Sequence, residues 1–407
     1  MPCSVATVTD KASLFPIGST VTAAALAHDP YDIYRRLRER EPISWVPELN
    51  MYYVVRYDLV DRILKDSERF TVGTEHSTLF DTFGTHLLTV EGALHARYRS
   101  SFAPTFLPGT VRAMLEAQIR SHAIGLIAEF SGAGEVELRS AFAARLPILT
   151  MLSLLGLPLE HEPSLRRWYD SFERALANFQ WDAAIRAAAR ENVERFRQLI
   201  RERMEHFRRH PDPQSLLSTL VHAPPEARLD EEAIERNALI ILFGGISTVE
   251  ALILNALYAL SMNAGLLARV RAEPSTLRAV LDETVRWAGP VQSATRHVAH
   301  DTEVAGVSLR AGETVNCMIA AANRDPEVFA DPDRFDIDRP GLRNHLGFAI
   351  GPHHCIGSNL AKLEGRIALD ELLSRLPGCR VADMAAAKPH GSEFRQPREL
   401  RLVWNTD

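Results

Sequence analysis

Residues 348–357 read FAIGPHHCIG and place Cys355 between two glycines, directly before an amphipathic segment at 360–376. If that segment is a helix, the free N–H groups of its first turn and the positive end of its dipole lie beside the cysteine sulfur. Such surroundings favour a thiolate over a thiol and make the sulfur a candidate metal ligand or nucleophile. Gly351 and Gly357 have no Cβ, so they let the backbone approach a flat, bulky group closely.

Three other interpretations of this cysteine stay open from the local residues. A cysteine in a glycine-rich turn is usually an ordinary small buried residue, and Cys355 fits that description. A zinc site that also uses His353 and His354 is weaker, because consecutive residues seldom converge on one tetrahedral ion. A cysteine nucleophile needs a paired histidine, and with 15 histidines in the chain spacing alone does not decide that pairing.

The loop resembles the cysteine loop of the cytochrome P-450 haem-thiolate monooxygenases, whose pattern is Phe, Gly, any, Gly, any, His, any, Cys, any, Gly. The matching residues are Phe348, Gly351, His353, Cys355 and Gly357. Ala349 replaces the second glycine of the pattern, a change between two small residues. The resemblance implies that Cys355 is the axial ligand of the iron in haem b, iron protoporphyrin IX.

A second motif of the family lies on the predicted helix 276–287. In Glu283-Thr-Val-Arg286 the i,i+3 spacing puts the carboxylate and the guanidinium on one helix face, where a local ion pair is the ordinary interpretation. In the family this pair also joins an arginine ahead of the cysteine loop, here Arg334 or Arg339. The resemblance therefore implies a structural role, in which the pair locks the loop that presents the thiolate.

Four residues are candidates to hold the haem propionates by the same resemblance. His95 and Arg99 match the family's His-x-x-x-Arg and lie one helical turn apart. Arg296 and His353 stand at two further positions that the family uses. Buried carboxylates need cationic or hydrogen-bonding partners, although each of these residues taken alone is more often solvated.

The stretch 238–260 is long and apolar enough to cross a bilayer, with Glu250 as its single charge. We expect a core helix buried on all sides, because polar residues interrupt the apolar run and no second such stretch accompanies it. Asp230 is its predicted N-cap. By resemblance, Gly244 and Gly245 thin this helix beside the haem.

The oxygen-activation motif of the family falls within the same helix. Thr248 matches the threonine that helps to activate dioxygen, although a mid-helix hydroxyl also bonds back to a carbonyl. Ser247 stands where the family carries an acid that relays protons. Glu250 is not an obvious substitute, since it lies about 200° around the helix from Thr248. We expect Ser247, Thr248 and ordered water to carry the protons.

The rest of the chain predicts a mainly α protein with a small β portion. Short β signals occur at 51–56 and 303–319. By resemblance the chain has the cytochrome P-450 fold, a single large helical domain around a buried haem. Apolar residues repeat every three or four positions in six segments, 31–39, 58–65, 111–130, 181–210, 276–287 and 360–376.

The same resemblance predicts the domain boundaries. Residues 30–407 form the haem-thiolate monooxygenase domain, with a small β-rich subregion near 43–57 and 295–319. Residues 1–29 form an N-terminal extension without the apolar run of a secretion signal. The four cysteines are far apart in the sequence, which argues against a disulfide framework, and we expect a cytoplasmic protein.

By resemblance the protein inserts one oxygen atom from O₂ into a hydrophobic small organic molecule, by hydroxylation or epoxidation. No flavin, nicotinamide or iron–sulfur motif accompanies the loop, so we expect a ferredoxin or flavodoxin, with its reductase, as electron donor. His354, Lys362 and Arg366 would supply positive charge for its docking. A net charge of −6 with scattered basic residues argues against nucleic acid and membrane partners. We expect a monomer.

The substrate pocket is the part of the site that the resemblance constrains least. A mainly apolar lining fits a hydrophobic or aromatic molecule. Two alternatives stay open, a peroxide-driven peroxygenase, which the missing acid at Ser247 favours, and a non-catalytic haem-thiolate sensor, which we expect to carry an additional effector domain. The predicted lining residues are Phe80, Phe83, Leu87, Phe179, Leu242, Phe243, Pro290, Val291 and Phe394.

Overall fold

The computed structural model describes residues 8–73, 77–178 and 181–406. Helices dominate these residues, as the apolar periodicity predicts. The α-helices are α1 (Val8–Leu14), α2 (Ala23–His28), α3 (Tyr31–Arg40), α4 (Tyr57–Lys65), α5 (Thr78–Phe83), α6 (Gly92–Phe102), α7 (Pro108–Ala128), α8 (Arg145–Leu155), α9 (Glu162–Leu176), α10 (Ala183–Arg209), α11 (Leu216–Val221), α12 (Glu231–Gly244), α13 (Ser247–Ser261), α14 (Ala264–Ala272), α15 (Leu277–Trp287), α16 (Ile319–Ala322) and α17 (Ser358–Arg375).

The strands form three small sheets at the edges of the helical body. The largest has the order β1-β2-β8-β5-β3, in which β2 and β8 are parallel and the other pairs are antiparallel. A second sheet has the order β4-β10-β9, and β6 and β7 form a hairpin. The strands are β1 (Ile43–Val46), β2 (Met51–Val54), β3 (Phe70–Thr71), β4 (Glu135–Glu137), β5 (Ala294–Val298), β6 (Thr302–Val304), β7 (Val307–Leu309), β8 (Thr314–Cys317), β9 (Arg380–Val381) and β10 (Arg401–Val403).

The main hydrophobic core lies between α7, α8, α13, α15 and α17. Leu115, Leu252 and Leu369 are examples of side chains there with at most 2% exposure. Burying one such side chain contributes about 1.5–3 kcal/mol. The packing of α17 against α7, α13 and α15 fixes the position of the cysteine loop, which directly precedes α17.

The segment predicted as one long helix consists of two helices. Asp230 caps α12 as expected, since its side chain accepts from the Ala233 N–H. The helical stretch then breaks at Gly245 and Ile246 before α13 begins at Ser247. Within Glu231–Ser261, the part apolar enough to cross a membrane is 83% buried inside the protein, as in a core helix. The prediction of a core segment is confirmed and that of a continuous helix is wrong.

The six other predicted helices correspond to α3, α4, α7, α10, α15 and α17. The β signals correspond to β2 and to β6–β8. Helix α8 is not predicted from the sequence, because eight of its side chains are buried and it has no polar face that would reveal a helical repeat. Helix α9 is not predicted either, and its first turn contains Pro163, a residue tolerated at the start of a helix.

Candidate active site

The cysteine loop is closed by its own backbone. The Cys355 N–H donates to the Phe348 carbonyl oxygen at 2.8 Å, and α17 begins directly after Gly357. On α17, a Cβ added at Gly365 would lie 3.0 Å from Leu281 of α15, so glycine lets these helices pack closely. The loop is held between this hydrogen bond and a tightly packed helix.

Two residues of the loop have left-handed backbone conformations. Gly351 has a φ of +78°, and a Cβ there would lie 2.5 Å from the carbonyl oxygen of Leu64 on α4. Its backbone and its contact with α4 therefore require a glycine, which differs from the expected role of making room for a flat group. Ala349 has a φ of +53°, which costs an L-residue about 1–2 kcal/mol and would leave glycine unstrained.

Cys355 lies deep in the fold, yet its side chain is accessible, unlike those of Cys317 and Cys379. It therefore borders open internal space. Burial raises the pKa of its thiol more than the Gly357 N–H group and the Arg99 charge lower it. The N–H groups at the start of α17 therefore favour the thiolate as expected but do not outweigh burial, and coordination to a cation is what would deprotonate this sulfur.

A buried ion pair anchors the segment that leads into the loop. The side chains of Glu283 and Arg286 on α15 are 0% exposed, and hydrogen bonds of 2.6 and 2.7 Å join them. The remaining Arg286 N–H groups donate to the carbonyl oxygens of Asn323, Pro332 and Arg334. The pair thus reaches beyond its own helix and ties the irregular segment to α15.

Arg339 is the third member of this anchor. Its Nε lies 3.5 Å from Oε1 of Glu283. Its other nitrogens donate to the carbonyl oxygens of Ala330, Asp331 and Arg334. The Arg334 side chain is 68% exposed, so this residue contributes only its carbonyl. Of the two arginines that the resemblance offered, the structure places Arg339 against the pair.

Two buried histidines present nitrogen atoms without a hydrogen-bond partner among the described residues. The rings of His95 and His353 lie 4.2 Å apart, and the unpartnered atoms are His95 Nε2 and His353 Nδ1. The other nitrogen of His353 bonds to the Glu91 carboxylate at 2.9 Å. An unpaired buried polar atom is costly, so both nitrogens fit a ligand that carries hydrogen-bonding groups.

Two arginines border the same region. Burial lowers the pKa of Arg296 and of Arg99, and the charge of Arg99 acts on Cys355. Glu91 interacts electrostatically with both Arg296 and His95. The four residues predicted to hold carboxylates are therefore neighbours. The sequence interpretation missed Glu91, although its spacing of four residues from His95 was a usable signal.

The break between α12 and α13 opens one face of the central helices. Around Gly244, no heavy atom beyond the helix backbone lies within 4 Å of where a Cβ would be. Thr248 shares this face, and its hydroxyl donates to the Gly244 carbonyl oxygen at 2.6 Å. Gly245 faces elsewhere, since a Cβ there would lie 2.6 Å from the Met151 sulfur on α8. Gly244 thus fits the prediction that a glycine makes the helix thinner beside the haem. Gly245 instead allows close packing of α12 and α8.

Ser247 is turned away from this face toward α9. The Tyr169 hydroxyl donates to Ser247 Oγ at 2.7 Å and lies 3.3 Å from the Phe243 carbonyl oxygen. The Ser247 N–H in turn donates to the Tyr169 hydroxyl at 3.2 Å. An unbroken helix would pair Phe243 with Ser247, so the inserted hydroxyl accounts for the break. Sequence reasoning missed Tyr169, because contacts between distant helices leave no local pattern.

Two predicted pocket residues belong to an aromatic cluster. Phe83 lies 5.6 Å from Phe172 and 5.4 Å from Phe243, measured between ring centroids. Phe243 also stacks on Tyr169 at 5.3 Å. These rings are almost completely buried and pack α5, α9 and α12 together, so they belong to the hydrophobic core.

The other predicted pocket residues lie in different surroundings. Val291 and Phe394 form an isolated antiparallel bridge, and Phe394 is 46% exposed. Leu242 is fully buried and lies about 200° around α12 from Gly244, so it belongs to the core and its assignment to the pocket is wrong. Phe179 lies outside the described residues. Three further residues are buried or half-buried, Phe80, Leu87 and Pro290.

The outer side of the cysteine loop carries a groove of about 500 Å³, here called the basic groove. Two of the three cations predicted there are neutralised, Lys362 by Asp282 at 2.6 Å and Arg366 by Glu116 at 2.8 Å. The third, His354, has a pKa below its usual value because of burial and nearby cations, so it is uncharged near pH 7. The lining includes Lys65, Arg278, Arg343, His345, His354 and Lys362, with Asp61 and Asp282.

Taken together, these residues fit a haem. The sulfur of Cys355 borders internal space, which suits a soft metal ligand. Unpartnered imidazole nitrogens and two arginines lie nearby, as carboxylate-bearing side arms require. An open helix face at Gly244 offers room for a flat ring.

Comparison with known proteins supports this interpretation. A family model described as Cytochrome P450 matches residues 160–377. The biotin biosynthesis cytochrome P450 of Bacillus subtilis is 30% identical over 400 residues, which cover 95% of this chain and 99% of that protein. The cytochrome P450 monooxygenase PikC of Streptomyces venezuelae is 35% identical over 370 residues, which cover 86% and 85% of the two chains.

Solved structures resemble most of the chain. P450BioI in complex with hexadec-9Z-enoic acid ligated acyl carrier protein has a TM-score of 0.86 at 28% identity, with 95% of this chain and 100% of that one covered. CYP109E1 from Bacillus megaterium in complex with corticosterone has a TM-score of 0.83 at 26% identity, with 93% and 98% covered. The predicted fold class is confirmed.

Proposed function

This chain belongs to the cytochrome P450 family and is a haem-thiolate monooxygenase of small molecules, and on that premise we propose that it inserts one oxygen atom from O₂ into a hydrophobic organic substrate. The insertion is a hydroxylation or an epoxidation, with two electrons from a separate redox partner. The observation that carries the proposal is the accessible sulfur of Cys355 beside unpartnered histidine nitrogens.

Each part of the site has one task in this proposal. Cys355 ligates the iron of haem b, and the haem, when bound, supplies the oxidising chemistry. His95, Arg99, Arg296 and His353 bind the propionates. The anchor of Glu283, Arg286 and Arg339 keeps the cysteine loop in place. Thr248 positions a hydroxyl at the open helix face, where its bond to Gly244 holds it in one orientation.

The substrate is proposed to be a largely apolar molecule. A steroid is bound in the CYP109E1 structure, and a fatty acyl chain is bound in the P450BioI structure. Among the predicted pocket residues, the half-buried Phe80 and the exposed Phe394 offer this chain apolar contact surface, whereas Phe83, Phe172 and Phe243 are almost completely buried. Apolar contact excludes water from the reacting centre, which favours oxygen transfer to the substrate.

We also propose a cytoplasmic monomer with the haem domain at 30–407 and the extension at 1–29. Two helices of the extension, α1 and α2, precede the domain. The mostly buried apolar stretch in Glu231–Ser261 supports a protein that works without a membrane. Elution of the purified protein at the volume of a 45.4 kDa monomer is the expected result in size-exclusion chromatography.

The function is tested by supplying oxidant in two ways. With O₂, NADPH, a ferredoxin and its reductase, we expect oxidised product from an apolar substrate such as a fatty acid or a steroid. With hydrogen peroxide alone we expect much less product. Product formed only with peroxide would contradict the monooxygenase proposal and indicate a peroxygenase. Tight haem binding without any product would indicate a non-catalytic sensor.

The electron donor is proposed to be an acidic ferredoxin or flavodoxin that docks at the basic groove. Arg278 and Arg343 line the groove, are exposed and have no ion pair among the described residues. Unpaired surface cations beside the cysteine loop attract an acidic partner and speed its association. The groove lies against Phe348 and Ala349, which places a docked donor next to the haem ligand loop.

Charge reversal tests this docking surface. We expect Arg278→Glu with Arg343→Glu to slow haem reduction by the donor about 10-fold or more at low salt, with a smaller effect at high salt. Stopped-flow reduction kinetics measure this rate. The control is Arg380→Glu, an exposed arginine on β9. Equal rates for the double variant and the control would contradict the proposed surface.

A further inference from the structure

The proposed reaction consumes protons, and the central helices offer no acid at the expected position. Inserting one atom of O₂ into a C–H bond takes up two electrons and two protons and releases one water. Ser247 occupies the place of the acid, and a serine hydroxyl does not hold a proton to give away near neutral pH. A proton source must therefore reach Ser247 from another element.

Ser247 is connected to α9 rather than to the open helix face. Its hydroxyl oxygen accepts from Tyr169, which is 5% exposed and inserted into the helix break. Tyr169 therefore leaves the hydrogen of the Ser247 hydroxyl free to donate elsewhere. Glu173, one turn further along α9, lines the cavity next to Tyr169, and the Ser247 hydroxyl slightly lowers the pKa of its carboxyl group. A carboxyl group thus lies near the serine.

A polar cavity connects this carboxyl group with solvent. Glu173 and Tyr169 line a cavity of about 200 Å³, whose walls come from α9, α13 and the π-helical turn Arg139–Ala143. Asp170 and Arg398 also line it and are exposed, so water can enter. A cavity of this size with polar walls accommodates several water molecules. Protons can therefore reach Glu173 from bulk water.

The surroundings of Glu173 suit an acid that gives up a proton near neutral pH. Burial and the carboxylates of Glu250 and Asp170 raise its pKa to about 7, against the weaker opposing effects of Arg139 and Ser247. A general acid works best when its pKa lies near the working pH. The other titratable or charged groups that face the cavity are Tyr169 and Arg166 on α9, Glu137 on β4, and Arg398.

Glu250 is the only other buried carboxyl group at this cavity among the described residues, and it is engaged otherwise. Its Oε1 accepts from Arg139 Nε at 2.5 Å, and although burial raises the pKa of Glu250, the charge and hydrogen bond of Arg139 oppose that shift. A carboxylate held by a guanidinium is a poor proton donor. Its role at the cavity is to raise the proton affinity of Glu173 through like charge.

We propose that Glu173 is the proton-relay residue of this enzyme, which passes a proton to Ser247 and regains it from water in the cavity. Ser247 passes its own hydroxyl proton through ordered water toward Thr248, the next residue of α13, while Tyr169 is a positioning residue that holds the serine. This inference rests on the proposed function. The proton-donating acid then lies on α9, rather than at the position of Ser247 on the central helices.

Glu173→Gln tests the relay because it keeps size and hydrogen bonding while removing the proton. We expect product per electron consumed to fall about 10²-fold, with the electrons appearing as hydrogen peroxide. The control is Glu162→Gln, a carboxyl on the same helix that pairs with Arg145 outside the cavity. Ser247→Asp in the Glu173→Gln background restores an acid and is expected to recover most of the product.

Two measurements on the resting protein do not depend on turnover. The infrared difference spectrum of the wild type minus Glu173→Gln should show a protonated carboxyl band that disappears as pH rises through about 7, while the bands of other buried carboxyl groups such as Glu364 cancel. The folded-state pKa is raised above the unfolded value near 4.5, so the carboxyl contributes stability at low pH that is lost between about 4.5 and 7. Glu173→Gln should therefore gain in Tm relative to wild type as pH rises across that range.

The outcomes separate this inference from the proposed function. Unchanged product per electron in Glu173→Gln, or an unchanged infrared band, would overturn the relay while the wild type still forms product. An equal loss in Glu162→Gln would also overturn it, since the effect would not be specific to the cavity. Absence of product from the wild type itself would instead contradict the proposed function, and the infrared band would still test the carboxyl.

Discussion

Replacing Arg286 by Met is expected to lower the free energy of unfolding by about 3–5 kcal/mol, the cost of leaving a buried charge without its partner. Glu283 would lose two hydrogen bonds and its closest cation, and would remain as a carboxylate with 0% exposure and only the more distant Arg339 at 3.5 Å. Three main-chain carbonyl groups between 323 and 334 would lose their donor as well. Denaturant unfolding measures the loss.

The same variant is expected to lose haem more readily, because the irregular segment leads directly into the cysteine loop. A matched control exists in Arg269, which also makes two hydrogen bonds to one carboxylate, that of Asp338, but at the exposed surface. Exposed pairs contribute about 0–1 kcal/mol, so Arg269→Met should be nearly neutral. Equal losses for the two variants would contradict the anchor.

Replacing Cys355 by Ser is expected to abolish product formation with O₂ and a ferredoxin system. A serine oxygen donates less electron density to iron than a thiolate does, and that density drives oxygen activation. The fold should persist, since the change is small and the loop is closed by the main-chain bond to Phe348. Product yield and circular dichroism measure the two effects.

The control for this variant is Cys379→Ala, which removes a buried cysteine that contacts Arg271 beyond the C-terminal end of α17. We expect it to keep product formation and to lose a modest part of its stability. Product at the wild-type level from Cys355→Ser would show that the Cys355 sulfur is not the iron ligand required for oxygen activation.

Local spacing was enough to predict several features. The loop around Cys355 carries its chemistry in ten consecutive residues, and Glu283 with Arg286 are one helical turn apart. The cap at Asp230 is equally local, because a side chain and an N–H group three residues away decide it. Patterns of this kind survive in the sequence because the interacting groups are close along the chain.

Features that depend on distant contacts could not be predicted in the same way. The break at Gly245 follows from the hydroxyl of Tyr169, 78 residues before Ser247 in the sequence. The choice of Arg339 over Arg334 depends on which guanidinium turns inward, and both arginines fit the pattern. Nothing in the local sequence distinguishes Glu173 from the other acidic residues, because its place at the cavity depends on the packing of α9 against α13.

The absorption spectrum of the reduced protein with carbon monoxide is the decisive test of haem ligation by Cys355, with Cys355→Ser measured beside it. We expect a strongly red-shifted Soret band in the wild type that is absent from the variant, because a thiolate ligand to haem iron produces that shift. The same band in both proteins, a spectrum like that of histidine-ligated globins, or no haem at all would contradict it.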